Sequence, residues 1–479
     1  MSVLRKRLEK IGSLMMRPYW TAGAYQAGFR KGKRASPRIF ILLATVAKTF
    51  WPTHEDTQPE QECGVLLVDF EQFFGTLRPE RLFHKMQQVG LPPAVIGLWK
   101  ELFETHTVKV CFAGTVGKPI RVLVGVPQGS GWSPELATLY VDVGLADGLR
   151  EIQTGVVEIQ GVKVYLLMYA DDLLTANLTE EGIQQQFSQI ERISEIDGLR
   201  ISYKKTVLAV FRKTYGARRK WTIKGKRGDI EETLDTAVKY LGFFAEADGY
   251  TAHWEYLAKR VAAAGGALIQ MFSEHPYMTF SMRREVYVAK VRSIMLVGAE
   301  IWGWRKAVVV QKAEAKALCI LLKVHTNTKL EAMLWLCGLL PFWVEAAKLA
   351  FGFWVSILNH GDELEIAALH QWKDMSRKHR RGWFHDMLIL FQEINLLEEV
   401  GGREAVYGWG AASARMWKQK FIERCEQTAI QQMEGSLQNG KYSFLRTMIP
   451  QLGSPRPFSL CFGDRASKSL FQWLLCSHT

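Results

Sequence analysis

Cysteine is scarce in this chain, and its distribution argues against a disulfide-stapled fold. The 479 residues include seven cysteines, an odd number, and no two are spaced as Cys-x-x-Cys. A disulfide framework is therefore not expected, and a reducing compartment fits better. Internal repeats and low-complexity tracts are also missing, and the overall composition is that of an ordinary globular protein.

No apolar segment is long enough to cross a bilayer. The longest, at 332–344, contains Gly338 and Pro341 and falls short of the roughly 18–20 residues that a span needs. The N-terminus carries Arg and Lys in a helical pattern and has no apolar stretch typical of a signal peptide. We therefore expect an intracellular protein without a membrane partner, in either the nucleus or the cytoplasm.

Acidic residues are nearly absent from two stretches of the chain. Residues 1–40 hold ten basic residues and one acid, residues 200–228 hold eleven basic residues and no acid, and the formal net charge of the chain is +13. Clustered cations favour a polyanionic partner because they displace the counterions that condense on phosphates. Nucleic acid is the first candidate partner, and two merely solvated surfaces are the alternative.

The pattern of apolar residues predicts an α+β core at 63–245 followed by an all-α half. Gly64–Phe70 is a short apolar run typical of a buried strand, and Gly161–Thr175 has the pattern of a β-hairpin. A strand is expected at Gly198–Phe211, and Val108–Phe112 with Ile120–Val124 should form a further hairpin. The length of the chain suits about three domains.

Three aspartates lie where two of these predicted strand elements end. Asp69 falls near the end of the first strand, and Asp171 with Asp172 lies at the tip of the hairpin between apolar runs. Adjacent carboxylates at the margin of a hydrophobic hairpin are costly unless a cation neutralises them. Hard oxygen ligands suit Mg²⁺, and two such ions can stabilise both oxygens of a nucleotidyl transfer. Each aspartate taken singly is also compatible with an ordinary turn.

An ordered series of motifs accompanies these aspartates. Its members are Gln26–Arg34 (QAGFRKGKR), Val68–Leu77, Gly125–Pro134 (GVPQGSGWSP), Tyr169–Asp172 (YADD), Gly198–Thr206 (GLRISYKKT), Tyr240–Phe243 (YLGF) and Val297–Trp304 (VGAEIWGW). In this order they resemble the fingers motif, motifs A to D, the primer grip and the thumb of a reverse transcriptase, and most of all those of non-LTR, LINE-like retrotransposons. We call residues 26–34 the fingers segment.

The resemblance implies a right-hand polymerase fold and an RNA-directed DNA polymerase. The implied domains are partial fingers at 1–62, a palm at 63–245, a helical thumb at 246–360 and a helical C-terminal extension at 361–479. A chain that starts just before the fingers motif is expected to be N-terminally truncated. The implied partners are an RNA template, a DNA primer and deoxynucleoside triphosphates, and the implied cofactor is a pair of Mg²⁺ ions, with Mn²⁺ as the alternative.

The resemblance also implies a role for each matched residue. Asp69, Asp171 and Asp172 would bind metal, and Lys205 would be a general acid for the leaving pyrophosphate. Phe74 would lie beneath the incoming sugar, where its ring excludes a 2′-hydroxyl. The residues implied to bind substrate are Phe70, Phe74, Gln128, Gly129, Arg30, Lys33 and Arg34, and the primer-grip residues are Leu241 and Gly242. For Arg30, Lys33 and Arg34 the alternative is a solvated basic loop. For Gln128-Gly129 it is a plain turn, and for Lys205 it is general binding of the nucleic-acid backbone.

The sequence departs from the family pattern in two places. Motif A usually has a small residue before the aromatic gate and an acid after it, but this chain has Phe73 and Gly75 there, and the double aromatic is expected to crowd the nucleotide site. The C-terminus resembles a zinc knuckle in which only Cys461 and Cys476 remain, too few for a tetrahedral zinc site. A catalytically impaired, nucleic-acid-binding relative and an RNA-directed RNA polymerase are the competing predictions.

Overall fold

The described part of the chain divides into two units. The structure, a computed structural model, describes residues 3–30, 32–50, 62–126, 130–212, 219–235, 237–247, 249–305 and 307–438, together with Tyr442 and Leu445. Unit 1 comprises the described residues of Met1–Asp248 and Asp362–Gln371, and unit 2 comprises those of Gly249–Gly361 and Trp372–Thr479. The limits predicted for fingers, palm and thumb stay predictions. Residues 362–371, which the sequence assigned to the C-terminal extension, group with unit 1, and the limits of that extension likewise stay a prediction.

Unit 1 combines helices with antiparallel strands, as the sequence predicts. Its elements are α1 (Val3–Met16), α2 (Ala35–Phe50), β1 (Cys63–Val68), α3 (Phe73–Thr76), α4 (Pro79–Gln88), α5 (Pro93–Glu104), β2 (Thr107–Val108), β3 (Cys111–Phe112), β4 (Thr115–Val116), β5 (Ile120–Arg121), α6 (Ser133–Arg150), β6 (Glu158–Ile159), β7 (Val162–Lys163), β8 (Leu167–Tyr169), β9 (Asp172–Asn177), α7 (Glu180–Asp197), β10 (Val207–Phe211), β11 (Thr222–Ile223), β12 (Ile230–Glu231), β13 (Ala237–Tyr240) and β14 (Phe243–Glu246).

The main sheet has four strands in the order β10-β1-β9-β8, and all of its pairings are antiparallel. Strand β1 is central and almost wholly buried, which explains why its sequence is a continuous apolar run. Helices α4, α6 and α7 contribute to the hydrophobic core around the sheet, where the rings of Trp99 and Trp132 stack at 4.6 Å. The strand ends, including those next to the aspartates, therefore belong to a sheet that is held in place by the hydrophobic core.

The predicted strand Gly198–Phe211 is wrong over its first nine residues. Helix α7 ends at Asp197 and is capped by Gly198, whose φ of 75° places it in the left-handed region. The chain then forms a loop with one antiparallel bridge from Ile201 to Phe70, and only Val207–Phe211 forms a strand of the sheet. The backbone N–H of Ser202, within this loop, donates to the carbonyl of Asp69 at 2.8 Å. The motif D loop is thus attached to the aspartate at the end of β1.

Helix α6 is broken at Val143 and Gly144, and a buried lysine donates hydrogen bonds to backbone carbonyl groups at the break. The ammonium of Lys85 donates to the carbonyl of Val143 at 2.9 Å, and also to the carbonyl of Tyr140 and to the carboxylate of Asp197. Burial lowers the pKa of Lys85, while the charge of Asp197 opposes that shift. A buried ammonium is tolerated here because its donors are satisfied.

Unit 2 is helical, which confirms the predicted all-α half. Its elements are α8 (Thr251–Glu274), α9 (Phe280–Tyr287), a π-helical turn (Val288–Arg292), α10 (Ser293–Met295), α11 (Ala299–Trp302), α12 (Val308–Leu322), α13 (Leu330–Cys337), α14 (Phe342–His360), α15 (Glu363–Arg377, with its first residues in unit 1), α16 (Trp383–Glu393), α17 (Gly402–Tyr407) and α18 (Ala411–Gln438). Among the described helices, none alone has the length and apolarity to cross a membrane. Only α13 and α14 taken together do, with a 72° bend between them.

Candidate active site

The strand register brings the three aspartates to one edge of the main sheet. Val68, the last residue of β1, pairs with Leu173 of β9, so the next position in this antiparallel register sets Asp69 opposite Asp172. Tyr169 pairs with Asp172 across the β8–β9 hairpin, which leaves Ala170 and Asp171 as its two-residue turn. Asp69 and the aspartate pair are thus neighbours in space although about 100 residues separate them in sequence.

The carboxylates repel one another. Desolvation, followed by the charges of Asp171 and Asp69, raises the pKa of Asp172 to about 6, even though that residue keeps an exposed surface. Desolvation also raises the pKa of Asp171, with a contribution from the charge of Asp69. This concentration of negative charge is the electrostatic environment that a bound cation relieves.

The donor atoms suit a divalent ion that the substrate helps to ligate. Oδ2 of Asp69 is buried without a hydrogen-bond partner, and the ammonium of Lys205 lies 3.4 Å from it. Across the described part of the chain, no three His, Cys, Asp or Glu side chains group closely enough to hold an ion by themselves. Mg²⁺ commonly takes one or two carboxylates and completes its shell with water and substrate phosphates. The carboxylates of Asp69 and Asp171 fit that requirement, while a protein-only three-ligand cage does not form.

The raised pKa of Asp172 predicts a pH-dependent stability. Because the folded state holds this proton more tightly than the unfolded chain, whose carboxyl titrates near 3.8, wild-type stability falls as the pH rises through about 6. In metal-free buffer, Asp172→Asn should raise the melting temperature at pH 7.5 and have little effect at pH 4. Thermal unfolding at both pH values measures this difference. An equal gain at the two pH values would show that charge repulsion is not its cause.

A glutamine of the fingers segment holds the aspartate turn, and the sequence analysis did not single it out. The Gln26 side chain is fully buried. Its amide donates to the carbonyl of Ala170 at 3.1 Å, and its carbonyl oxygen accepts from the N–H groups of Ala170 and Gly28 at 3.0 and 2.7 Å. Gln26 also forms a parallel bridge with Met168. Because Ala170 has a positive φ of 60°, which is costly for an L-residue, these bonds stabilise a turn that otherwise carries strain.

The fingers segment approaches this turn so closely that only glycine fits at position 28. A Cβ placed on Gly28 would lie 2.0 Å from the backbone nitrogen of Ala170. Glycine is therefore needed for the close approach of two backbones. Residues 26–28 thus pack directly against the turn that carries Asp171.

The predicted phosphate-binding cations of the fingers segment have different environments. Arg30 donates to the carbonyls of Gly23 and Gln26 and so stabilises its own loop. Lys33, half-buried, pairs with Asp362 at 2.9 Å and with Glu365 at 2.8 Å. Arg34 is exposed.

The same two acids also pair with a buried arginine. Arg38, fully buried, contacts Asp362 at 2.9 Å and Glu365 at 3.3 Å. The charge of Lys33 is thus already compensated inside unit 1, and its contact with a phosphate stays a prediction. Among the described candidates, Arg34 has the environment best suited to a triphosphate.

The two aromatic residues of motif A point to different surroundings. Phe73 is 4% exposed and packs in the core against Phe70, with ring centroids 5.9 Å apart. Phe74 is half-buried, and its ring meets that of Phe29 edge-on at 6.1 Å. The expectation that both rings crowd the nucleotide site is therefore wrong for Phe73. The ring of Phe70 is buried as well, so only its backbone can face a substrate.

The remaining predicted positions divide between described and undescribed residues. Gln128 and Gly129 of motif B lie outside the described residues, as do Lys31, Cys461 and Cys476. Leu241 and Gly242 form the two-residue turn between β13 and β14, with φ values of 49° and 80°. That confirms a tight turn at YLGF, whereas its contact with a primer stays a prediction.

The basic stretch at 200–228 is partly neutralised by acids from other segments. Arg212 pairs with Glu62 and Glu232. Further pairs join Arg219 to Glu180, Lys224 to Asp229 and Lys226 to Glu195. The sequence count therefore overstates the charge that this surface offers to a polyanion, because the acids that pair with it are remote in sequence or follow it directly.

Comparison with known proteins agrees with this site. Residues 1–244 match the family model described as "Reverse transcriptase (RNA-dependent DNA polymerase)". A probable RNA-directed DNA polymerase from transposon BS of Drosophila melanogaster is 23% identical over 287 residues, 58% of this chain and 30% of that protein. The Pol polyprotein of the type-1 retrotransposable element R2 of Bradysia coprophila is 24% identical over 206 residues, 43% of this chain and 22% of that protein. The chain thus spans less than a third of the length of either relative.

Solved structures with some similarity include two telomerases. The apo telomerase of Candida tropicalis has a TM-score of 0.37 and 11% identity, over 76% of this chain and 61% of that one. The telomerase of Candida albicans in complex with a fragment of telomeric RNA has a TM-score of 0.30 and 12% identity, over 76% of this chain and 57% of that one.

Proposed function

The chain belongs to the reverse transcriptase family, within its non-LTR retrotransposon group and with the right-hand polymerase fold, and on that premise we propose that it copies RNA into DNA. The observation that carries the proposal is the convergence of Asp69, Asp171 and Asp172 at one sheet edge, with Lys205 beside Asp69 and the fingers segment bound to the Asp171 turn. The substrates would be an RNA template, a DNA primer and deoxynucleoside triphosphates.

Each residue of the site has a separate chemical task in this proposal. Two divalent ions, Mg²⁺ or alternatively Mn²⁺, would be held by Asp69 and Asp171, with Asp172 adding to the negative field, and they would supply Lewis-acid stabilisation of the attacking and leaving oxygens. Lys205 holds a proton at Nζ that can pass to the departing pyrophosphate. Arg34 would bind the triphosphate, and the turn at Leu241 and Gly242 would support the primer.

The side chain of Phe74 favours a DNA product over an RNA product. Its half-buried ring is supported on two sides, by Phe29 at 6.1 Å and by Phe73 at 5.4 Å between centroids. A ring held in this way cannot easily move aside for a 2′-hydroxyl, whereas an RNA-directed RNA polymerase needs room there. The second alternative, an impaired relative that only binds nucleic acid, keeps the fold and predicts no incorporation.

A smaller residue in place of Phe74, the aromatic gate, should relax the selection of deoxynucleotides over ribonucleotides. In Phe74→Val, the rate of UTP incorporation relative to dTTP should rise roughly 10- to 100-fold, because a steric clash in one pocket is removed, while dTTP use changes little. Primer extension on poly(rA)/oligo(dT) with each nucleotide measures the ratio. This ratio tests the assignment as a DNA polymerase.

The neighbouring position provides the matched control. Phe73→Leu keeps most of the core volume and leaves Phe74 in place, so the sugar ratio should stay at the wild-type value. A relaxed ratio in Phe73→Leu together with an unchanged ratio in Phe74→Val would place the gate one residue earlier and contradict this description of motif A.

A further inference from the structure

A β-ribbon between motifs A and B stands clear of the rest of unit 1. Strand β2 pairs with β5, and β3 pairs with β4, so residues 107–121 form one two-stranded projection, which we call the arm. Its tip is the two-residue turn Ala113-Gly114, with φ values of 47° and 80°, the left-handed conformation of a type I′ hairpin turn. All residues of the arm are exposed.

The arm exposes apolar side chains that a ribbon in water normally hides. Phe112, beside the turn, is 81% exposed. Other large apolar residues are also exposed along the arm: Val108, Val110, Val116 and Ile120. An isolated two-stranded ribbon is marginally stable in water, and large apolar side chains left exposed on such a ribbon indicate an interaction site. The arm therefore has the features of a binding element.

The charged residues of the arm are all basic. Lys109, Lys118 and Arg121 lie on it, and no acid occurs in the sequence between Glu104 and Glu135. Cations interleaved with an exposed aromatic ring are typical of surfaces that bind single-stranded nucleic acid, in which bases stack on the ring and phosphates meet the cations. Protein–protein interfaces, in contrast, are depleted in lysine.

The base of the arm is fixed to motif A. Backbone N–H groups of Gly125 and Val126 donate to the carbonyls of Leu77 and Phe74, each at 2.8 Å. The N–H of Val122 donates to the carbonyl of His106 at 3.1 Å. The arm is thus anchored to the element that bears the half-buried Phe74, next to the candidate nucleotide site.

We propose that the arm binds an unpaired strand of the nucleic-acid substrate. The side chain of Phe112 stacks on an unpaired base, and Lys109, Lys118 and Arg121 contact the neighbouring phosphates. Identifying this strand as the template beside the nucleotide site rests on the proposed function, whereas the binding itself does not require catalysis.

The test compares two labelled duplexes that differ only in an unpaired end. One is a blunt RNA–DNA duplex, and the other has the same duplex with an unpaired 5′ extension of the RNA strand. Wild type should bind the extended duplex more tightly, and Phe112→Ala should reduce this preference roughly tenfold through the loss of one stacked base. The blunt duplex should bind equally well to both proteins. Fluorescence anisotropy without nucleotide or Mg²⁺ measures the four affinities.

Two further substitutions separate stacking from simple apolarity. Phe112→Tyr keeps the ring and should keep the preference, while Phe112→Leu keeps apolar bulk and should lose it. Thr115→Ala, across the ribbon from Phe112, is the control and should behave as wild type. A wild-type preference in Phe112→Leu overturns the proposal. So does an unchanged preference in Phe112→Ala accompanied by altered sedimentation, since this result would identify a protein interface.

A chemical probe on the arm gives a second measurement. Of the described cysteines, Cys111 is exposed and the others are buried. In a Cys461→Ser, Cys476→Ser background, an RNA oligonucleotide should slow the reaction of Cys111 with a maleimide, and an unchanged rate contradicts arm binding.

An inactive protein with Phe112-dependent binding would overturn only the polymerase assignment. An active protein whose binding ignores Phe112 would overturn only this inference.

Discussion

Asp171→Asn should reduce dTTP incorporation at least roughly 10³-fold, because in the proposed mechanism the substitution removes the charge that would hold a divalent ion at the reacting phosphates while it preserves side-chain shape. Asp69→Asn should have the same effect, since its carboxylate faces the same site from β1. Single-turnover primer extension with Mg²⁺ measures both rates.

Nucleic-acid binding provides the control for these two variants. Phosphate contacts carry most of the affinity for nucleic acid. Neither aspartate side chain is a cation that could bind a phosphate. The affinity of each variant for an RNA–DNA duplex should therefore match the wild type within a few-fold. Polymerisation that persists in either variant would disprove the assignment of the aspartates as the catalytic centre.

Gly28→Ala is expected to reduce incorporation roughly 100-fold without contact with the substrate. A Cβ at this position meets the backbone nitrogen of Ala170 at 2.0 Å, so either the fingers segment or the Asp171 turn must move. A displacement of about 1 Å at reacting groups commonly costs about two orders of magnitude in rate. Gln26→Ala should act in the same direction, since it removes two hydrogen bonds to Ala170 in that turn and a third to Gly28. Incorporation rates and thermal unfolding measure the two effects separately.

Gly97→Ala is the matched control for Gly28→Ala. Gly97 lies in α5, and a Cβ there meets nothing within 4 Å, so the same chemical change should leave incorporation unaltered and stability equal or slightly higher. If Gly28→Ala copied RNA at the wild-type rate, the close approach of the two backbones would have no role in positioning Asp171.

The Asp-bearing strands could be predicted from the sequence because their signals are local. A continuous apolar run that ends in a carboxylate, and two apolar runs around an Asp-Asp pair, each identify a strand end within ten residues. The antiparallel register that sets Asp69 opposite Asp172 then follows from the sheet. The signal for Gln26 was weaker, since a single glutamine in a basic segment has no pattern of its own. Only the three-dimensional contact with Ala170 identifies its task.

The features that the sequence did not predict depend on how the folded chain surrounds each residue. From the sequence alone, Lys33 is expected to be an unpaired cation, because its partners, Asp362 and Glu365, lie more than 320 residues away. Phe73 and Phe74 are chemically identical, and only the direction of a short helical turn decides which ring enters the core. Leu199 and Ile201 alternate with Arg200 as in a strand, although the structure forms a loop there, held by a hydrogen bond from the N–H of Ser202 to the carbonyl of Asp69.

Incorporation of dTTP on poly(rA)/oligo(dT) by the purified chain, with Mg²⁺ present and after chelation, tests the central claim most directly. The arrangement of Asp69, Asp171 and Asp172 predicts primer extension in Mg²⁺ that stops on chelation and resumes when Mg²⁺ or Mn²⁺ is restored. A chain that binds this duplex tightly but extends no primer in either metal would contradict the claim and identify a nucleic-acid-binding relative without polymerase activity.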